Sequence, residues 1–179
     1  MPWRRMLGDM SDLSIHPAHA ADAEAIAAIY NQGIEDRVAT LETELRTPEE
    51  RRAWLAARSE RHPVLVAQRD GRTLAWASLN VFNPRAAYAH VADLSIYVAR
   101  EARGTGVGRV LLARTIDEAR RLGFHKMVLA AFPTNTAGMR LYARMGFTAV
   151  GTYREQGCLD GRWVDVIIME QILGEITTT

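Results

Sequence analysis

The sequence contains one cysteine, Cys158, and one lysine, Lys126, in 179 residues. A lone cysteine excludes an internal disulfide and points to a cytoplasmic setting. No apolar run approaches the roughly 18 residues of a membrane span. The opening stretch MPWRRMLGDMSD carries arginines with no apolar block behind them, so neither a spanning helix nor a secretory signal is expected. Residues 1–11 read as a loose leader, with Met10 an alternative start. Net charge is also scarce: 22 basic and 21 acidic residues leave +1, without the basic excess of a nucleic-acid binder. The five histidines, at 16, 19, 62, 90 and 125, lack metal-ligand spacing, so no metal is expected. There is no internal repeat and no low-complexity tract.

What is present is enough apolar material for a packed core, 48% of the chain, and residues 12–175 read as a single domain. DLSIHP reads as a short strand ending at Pro17. AHAADAEAIAAIYNQGIE reads as a helix with Asp22 as N-cap and Ile26, Ile29, Tyr30 and Ile34 along one face. A second helix begins near Pro48, where Thr47 and Glu50 have capping-box spacing. HPVLVAQRDGRTLAWASLNVF reads as a hairpin about Asp70-Gly71. YAHVADLSIYV reads as a strand, followed by a glycine-rich turn and an Arg-rich amphipathic helix. HKMVLAAF is a further strand and NTAGMRLYARMGF a helix closed by Gly146. A last hairpin turns at Asp160-Gly161. The order β-α-α-β-β-β-α-β-α-β-β predicts an α/β fold, a mixed sheet with helices on both faces.

Glycines 104, 106 and 108 alternate between that strand and that helix. Missing Cβ atoms let a ligand approach the backbone, and a helix start offers unpaired N–H groups and a positive dipole end. From Arg100 to Lys126 there are seven basic and three acidic residues. The pattern reads as a seat for phosphate. A P-loop is a poor fit, because Arg109-Val110 follows Gly108 where Lys-Ser/Thr is needed. A dinucleotide fingerprint needs G-x-G-x-x-G opening a βαβ unit, and this spacing is G-x-G-x-G in mid-chain. A glycine turn with no ligand is the remaining alternative.

The run Arg103-Gly-Thr-Gly-Val-Gly108 after LSIYV resembles the R/Q-x-x-G-x-G/A signature of the GNAT superfamily of acyl-CoA-dependent N-acyltransferases. IYNQGIE, ATLE, PRAAY, NTAGMRLYARMGF and DGRWVDV extend the resemblance over roughly 13–173. They are similar to landmarks of the branch that acetylates phosphinothricin, methionine sulfoximine or sulfone, and arsinothricin. The resemblance implies a twisted, mostly antiparallel sheet whose central parallel pair splays apart. It implies acetyl-CoA as co-substrate, with its pyrophosphate on the N–H groups of Arg103, Gly104, Thr105, Gly106, Val107, Gly108 and Arg109. The pantetheine arm would run along Ile96, Tyr97 and Val98, with Asn135 contacting it or simply capping the next helix.

The same resemblance points to Asp93 as general base, where relatives carry glutamate, and to Tyr142 as the acid that meets the leaving thiolate. The alternatives are a structural carboxylate tied to backbone amides at a bulge and a core tyrosine. Arg85 would pair with an acidic acceptor, a solvated loop arginine being the alternative, and Val98 N–H would polarise the thioester carbonyl. Tyr88 and Trp163 read as core aromatics, with shaping of the pocket the alternative; Leu41 and Leu159 stand where relatives often carry phenylalanine and lysine, in regions that shape the acceptor site. The expected activity is transfer of acetyl to the α-amino group of a small amino-acid analogue, by a homodimer. Acetylation of a protein N-terminus or other drug amine, and an acyl-CoA sensor without turnover, are the competing readings.

Overall fold

A computed structural model describes residues 12–174; the leader expected at 1–11 lies outside the described residues. The strands are β1 (Ser14–Pro17), β2 (Val64–Arg69), β3 (Arg72–Val81), β4 (Val91–Val98), β5 (Lys126–Ala131), β6 (Thr148–Leu159) and β7 (Arg162–Ile172). The helices are α1 (Ala23–Glu35), α2 (Pro48–Ala56), α3 (Val107–Arg121) and α4 (Thr136–Arg144). The chain order is the one read from the sequence. One seven-stranded sheet runs β1-β2-β3-β4-β5-β7-β6, antiparallel except for β4 beside β5.

Strand periodicity sorts the core into two layers. On one face Ala77, Leu79, Ala92, Leu94, Met127 and Leu129 meet Leu111, Leu112 and Ile116 of α3 and Tyr142 of α4. On the other, Val64, Val66 and Trp76 meet Ile26 and Ile29 of α1 and Trp54 of α2. Asp93, Ser95 and Tyr97 alternate out of phase with Leu94 and Ile96, so they sit on the α1/α2 face.

Local signals formed as expected in three places. Thr47 and Glu50 close a capping box on α2, with Glu50 N donating to Thr47 Oγ1 at 3.1 Å and Thr47 N to Glu50 Oε2 at 2.7 Å. Both hairpins turn at Asp-Gly pairs in which both residues have positive φ, as their backbone twist demands. Two readings need correction. Asp22 does not cap α1; it ends a 3-10 turn at Ala20–Asp22, and its carboxylate accepts from His19 N (2.8 Å) and Gln68 Nε2 (2.8 Å). The fourth strand starts at Val91, because Ala86–Tyr88 wind into a 3-10 turn.

Candidate active site

The parallel pair is short. β4 and β5 are in register only at Val91–Lys126, Ala92–Met127 and Asp93–Val128. Beyond Asp93 both strands continue with no partner on their facing edges, and a cleft opens between them. It is lined by Leu94, Ser95, Ile96, Tyr97, Ala130 and Ala131, with Asn135, Tyr142 and Ala39 around it. The backbone phase on this edge follows from one bond: Ala99 N donates to Leu74 O of the β3 side at 2.8 Å. Amides alternate along a strand, so those of Tyr97 and Ser95 also face β3. The N–H groups of Ile96 and Val98 therefore face the cleft. Val98 O accepts from Arg103 Nε at 3.2 Å on that side.

The glycine turn lies at the open end. Gly104 (φ 77°) and Gly106 (φ 93°) hold left-handed backbone, and a Cβ on either would stand in open space. Gly108 has a different reason: a Cβ there would come 3.3 Å from Val98 Cγ2 and 3.5 Å from Leu141 Cδ2, where α3 passes β4 and α4. The N–H groups of Arg103, Thr105 and Arg109 bond Arg100 O, Ala102 O and Gly106 O. Those of Gly104, Gly106, Val107 and Gly108 have no partner among the described residues. They form an open nest at a helix start. The surrounding positive charge is smaller than the local composition suggests. Asp36 accepts bidentately from Arg100 and at 2.7 Å from Arg103, and these guanidinia hold its carboxyl below the usual range, Arg100 first. Glu118 takes Arg121 and Asp117 takes Arg120. Arg109 alone of the turn's arginines forms no ion pair among the described residues.

Asp93 occupies the last paired rung, where the cleft begins. It meets Asn80, its register partner on β3, with Nδ2 to Oδ2 at 3.5 Å. Burial pushes its pKa up to about 6, and the Asn80 amide offsets this in part. β4 carries no bulge at this position, and no backbone amide bonds the carboxylate. Asn80 also donates to Ser95 Oγ at 3.2 Å, and Arg58 Nη1 donates to Asn80 Oδ1 at 2.9 Å. Neither Asn80 nor Arg58 was legible as a site residue from local sequence signals.

Tyr142, on α4, is buried against the cleft, edge-on to Phe147, and burial pushes its phenol up to about 12. Asn135 caps α4, its Oδ1 accepting from Gly138 N at 2.9 Å. Arg85 starts the turn between β3 and β4; its own N–H donates to Asn83 Oδ1 at 3.0 Å, and its side chain is exposed. Tyr88 and Trp163 are not core aromatics. They are 38% and 67% exposed, Tyr88 against Phe82 in the β3–β4 connection and Trp163 on β7. Leu41 and Leu159 share one apolar cluster with Phe132 and Val166. Leu41 fills the space left by Gly157, where an added Cβ would lie 2.5 Å from Leu41 Cδ2.

Comparisons with known proteins place the chain that carries this cleft in a family. Residues 26–147 match the acetyltransferase (GNAT) family. The chain is 35% identical over 164 residues to the L-methionine sulfoximine/L-methionine sulfone acetyltransferase of Salmonella typhimurium, covering 91% of this chain and 96% of that protein. It superposes with a TM-score of 0.87 on a phosphinothricin acetyltransferase of Sinorhizobium meliloti in complex with acetyl-CoA, at 30% identity over 94% of this chain and 92% of that one. It also resembles the ribosomal-protein-alanine N-acetyltransferase of Brucella melitensis, with a TM-score of 0.85 and 39% identity over 89% of this chain and 99% of that one. On its sequence and on its fold, the chain belongs to the acetyltransferase (GNAT) family.

Proposed function

We propose that this acetyl-CoA-dependent N-acetyltransferase acts on the α-amino group of a small amino-acid analogue of the phosphinothricin, methionine sulfoximine or arsinothricin kind. One observation carries the reading: an unpaired stretch of β4 with an open amide nest at one end and Asp93 at the other. Acetyl-CoA lays its pyrophosphate on the free N–H groups of Gly104, Gly106, Val107 and Gly108. Its pantetheine arm pairs with β4 at Ile96 and Val98 as an added strand would, past Tyr97 and beside Asn135.

Transfer is direct, in a ternary complex. An α-amino group is largely protonated at pH 7, so it must lose a proton before attack. Asp93, ionised above about 6, accepts that proton, directly or through one water. The amine nitrogen bonds the thioester carbonyl carbon, whose oxygen is polarised by the N–H of Ile96, the cleft-facing amide nearer Asp93, while that of Val98, expected in this role from the sequence, holds the arm nearer the nest. The C–S bond then breaks: Tyr142, protonated throughout the neutral range, gives its proton to the departing sulfur, and the second proton lost by the amine nitrogen restores the phenol. Arg85 pairs with the acceptor's carboxylate or phosphinate. The enzyme works as a homodimer.

Acetylation of a protein N-terminus is the second reading, favoured by the likeness to the Brucella ribosomal-protein enzyme. Thiol release from acetyl-CoA with phosphinothricin, methionine sulfoximine, methionine sulfone, glutamate, spermidine and an N-terminal peptide separates them. Preferred turnover of the amino-acid analogues is expected. Turnover of the peptide alone overturns the reading in favour of the second, and binding of acetyl-CoA with no turnover favours a sensor.

A further inference from the structure

Asp93 faces one polar side chain from across the sheet, the carboxamide of Asn80. A carboxamide can present either its oxygen or its NH2 edge, and only the second supports a carboxylate. Arg58 decides between them. Its guanidinium donates Nε to His62 O at 2.7 Å, Nη1 to Asn80 Oδ1 at 2.9 Å and Nη2 to Leu79 O. A guanidinium only donates, so the edge of Asn80 that touches it must be oxygen. The NH2 edge then faces Asp93 and Ser95. Arg58 has no carboxylate partner among the described residues, although it is half-buried against Trp54. Removing a cation from water without a counter-ion is costly, and an apolar side chain would cover Trp54 as well.

We propose that Arg58 and Asn80 are positioning residues that fix the Asp93 carboxylate at the foot of the cleft and keep it ready to accept a proton. This rests on Asp93 being the general base. The relay passes the influence of a cation through two hydrogen bonds without placing the cation beside the incoming ammonium, which a direct ion pair to Asp93 would do. Other charged groups on this face are Arg51 of α2, over the rings of Tyr30 and Trp54, and Lys126 on β5 and Glu170 on β7, which pair with each other. Tyr97 lies further along β4 on the same face, and His62 stands behind Arg58, its pKa lowered by burial and its arginine neighbours. Neither His62 nor the Lys126–Glu170 pair forms an ion pair with Asp93, so Asn80 alone opposes the effect of burial.

The test uses the full chain with acetyl-CoA and its best acceptor, and the variants Asn80→Ala, Arg58→Met, Arg58→Lys and Asp93→Asn. Two readouts are taken: the 13C titration of the Asp93 carboxyl, assigned by its absence in Asp93→Asn, and the pH profile of kcat. In Asn80→Ala and Arg58→Met the Asp93 midpoint moves up by about one unit. Then kcat falls about twofold at pH 7 and about tenfold below pH 5.5, recovers by pH 8.5, and leaves KM for acetyl-CoA unchanged. Arg58→Lys, which keeps the charge but loses the fork, falls between. An unmoved midpoint in Asn80→Ala, or a loss of kcat equal at every pH, overturns the proposal. If Arg58→Met does not fold, Asn80→Ala decides, because it leaves the bonds to His62 and Leu79 in place. Full activity in Asp93→Asn overturns the reading of Asp93 as general base, and with it the catalytic purpose of the relay; that failure is told apart from failure of the Arg58–Asn80 contact itself, because the carboxyl titration would still respond to Asn80→Ala.

Discussion

At the scale of single residues, the role proposed for Asp93 works against stability. Burial raises its pKa to about 6 from the usual carboxylate range. A carboxyl whose folded pKa exceeds its unfolded value favours folding fully only when it is protonated in both states. That contribution is lost as pH rises from about 4 through 6, and above that the buried charge costs about 3 kcal/mol. The same ionisation is what lets the group accept a proton. Asp93→Asn is therefore expected to lose 10²- to 10⁴-fold in kcat, the range typical of a lost general base. It should also melt several degrees higher than wild type at pH 8, with the gain shrinking towards pH 4 in calorimetry. An unchanged melting curve at pH 8 would mean the carboxylate is not buried at a cost. Tyr142 sets the opposite limit. With its phenol pushed up to about 12, kcat should show no alkaline fall below about pH 10, and Tyr142→Phe should slow thiol release without moving the acid limb.

At the scale of elements, the strand–turn–helix from β4 to α3 does two jobs with three glycines. Gly106 is needed for its left-handed backbone, Gly108 for the close passage of α3 over Val98. Gly106→Ala strains the turn by about 1–2 kcal/mol and tilts the free N–H groups, so acetyl-CoA affinity by calorimetry should fall about tenfold. Gly108→Ala asks only a few tenths of an ångström of Val98 and should cost less in affinity than in melting temperature. Affinity unchanged in Gly106→Ala would remove the nest as the pyrophosphate seat. This turn, the capping box at Thr47 and the Asp-Gly hairpins were legible in the sequence because each is local. Asn80 was not, because its meeting with Asp93 depends on the β3–β4 register. The connection 82–90 has no turn signal that sets that register, unlike the Asp70-Gly71 hairpin. Asp36 was hidden for a related reason: it neutralises Arg100 and Arg103 from the far end of α1, a pairing no local charge count reveals. Asp22 was misread because an Asp before a helix serves a 3-10 turn as readily as an α-helical cap.

At the scale of the whole molecule, the two sheet edges differ. β1 is four residues long and ends at Pro17, a blunt edge that resists pairing. β6 runs for 12 residues at the opposite edge and is exposed along nearly all of its length. Val150 and Tyr153 on β6 and Trp163 and Ile172 on β7 are all more than half exposed. A long open edge with large apolar side chains is a liability for a monomer. The same hairpin carries Leu159, which packs with Leu41 and Phe132 beside the cleft, so a second copy covering the hairpin would steady that wall of the cleft. Pairing of two copies through this edge predicts sedimentation at twice the 20.0 kDa chain mass at micromolar concentration. It also predicts that Tyr153→Asp combined with Trp163→Arg gives a folded monomer. In that monomer KM for the acceptor should rise severalfold while affinity for acetyl-CoA, whose proposed seat lies on β4 across the cleft from the hairpin, stays close to wild type. A wild-type chain that sediments alone, or a monomeric variant with unchanged acceptor KM, would separate the hairpin from catalysis and leave its exposed aromatics without a role in the active site.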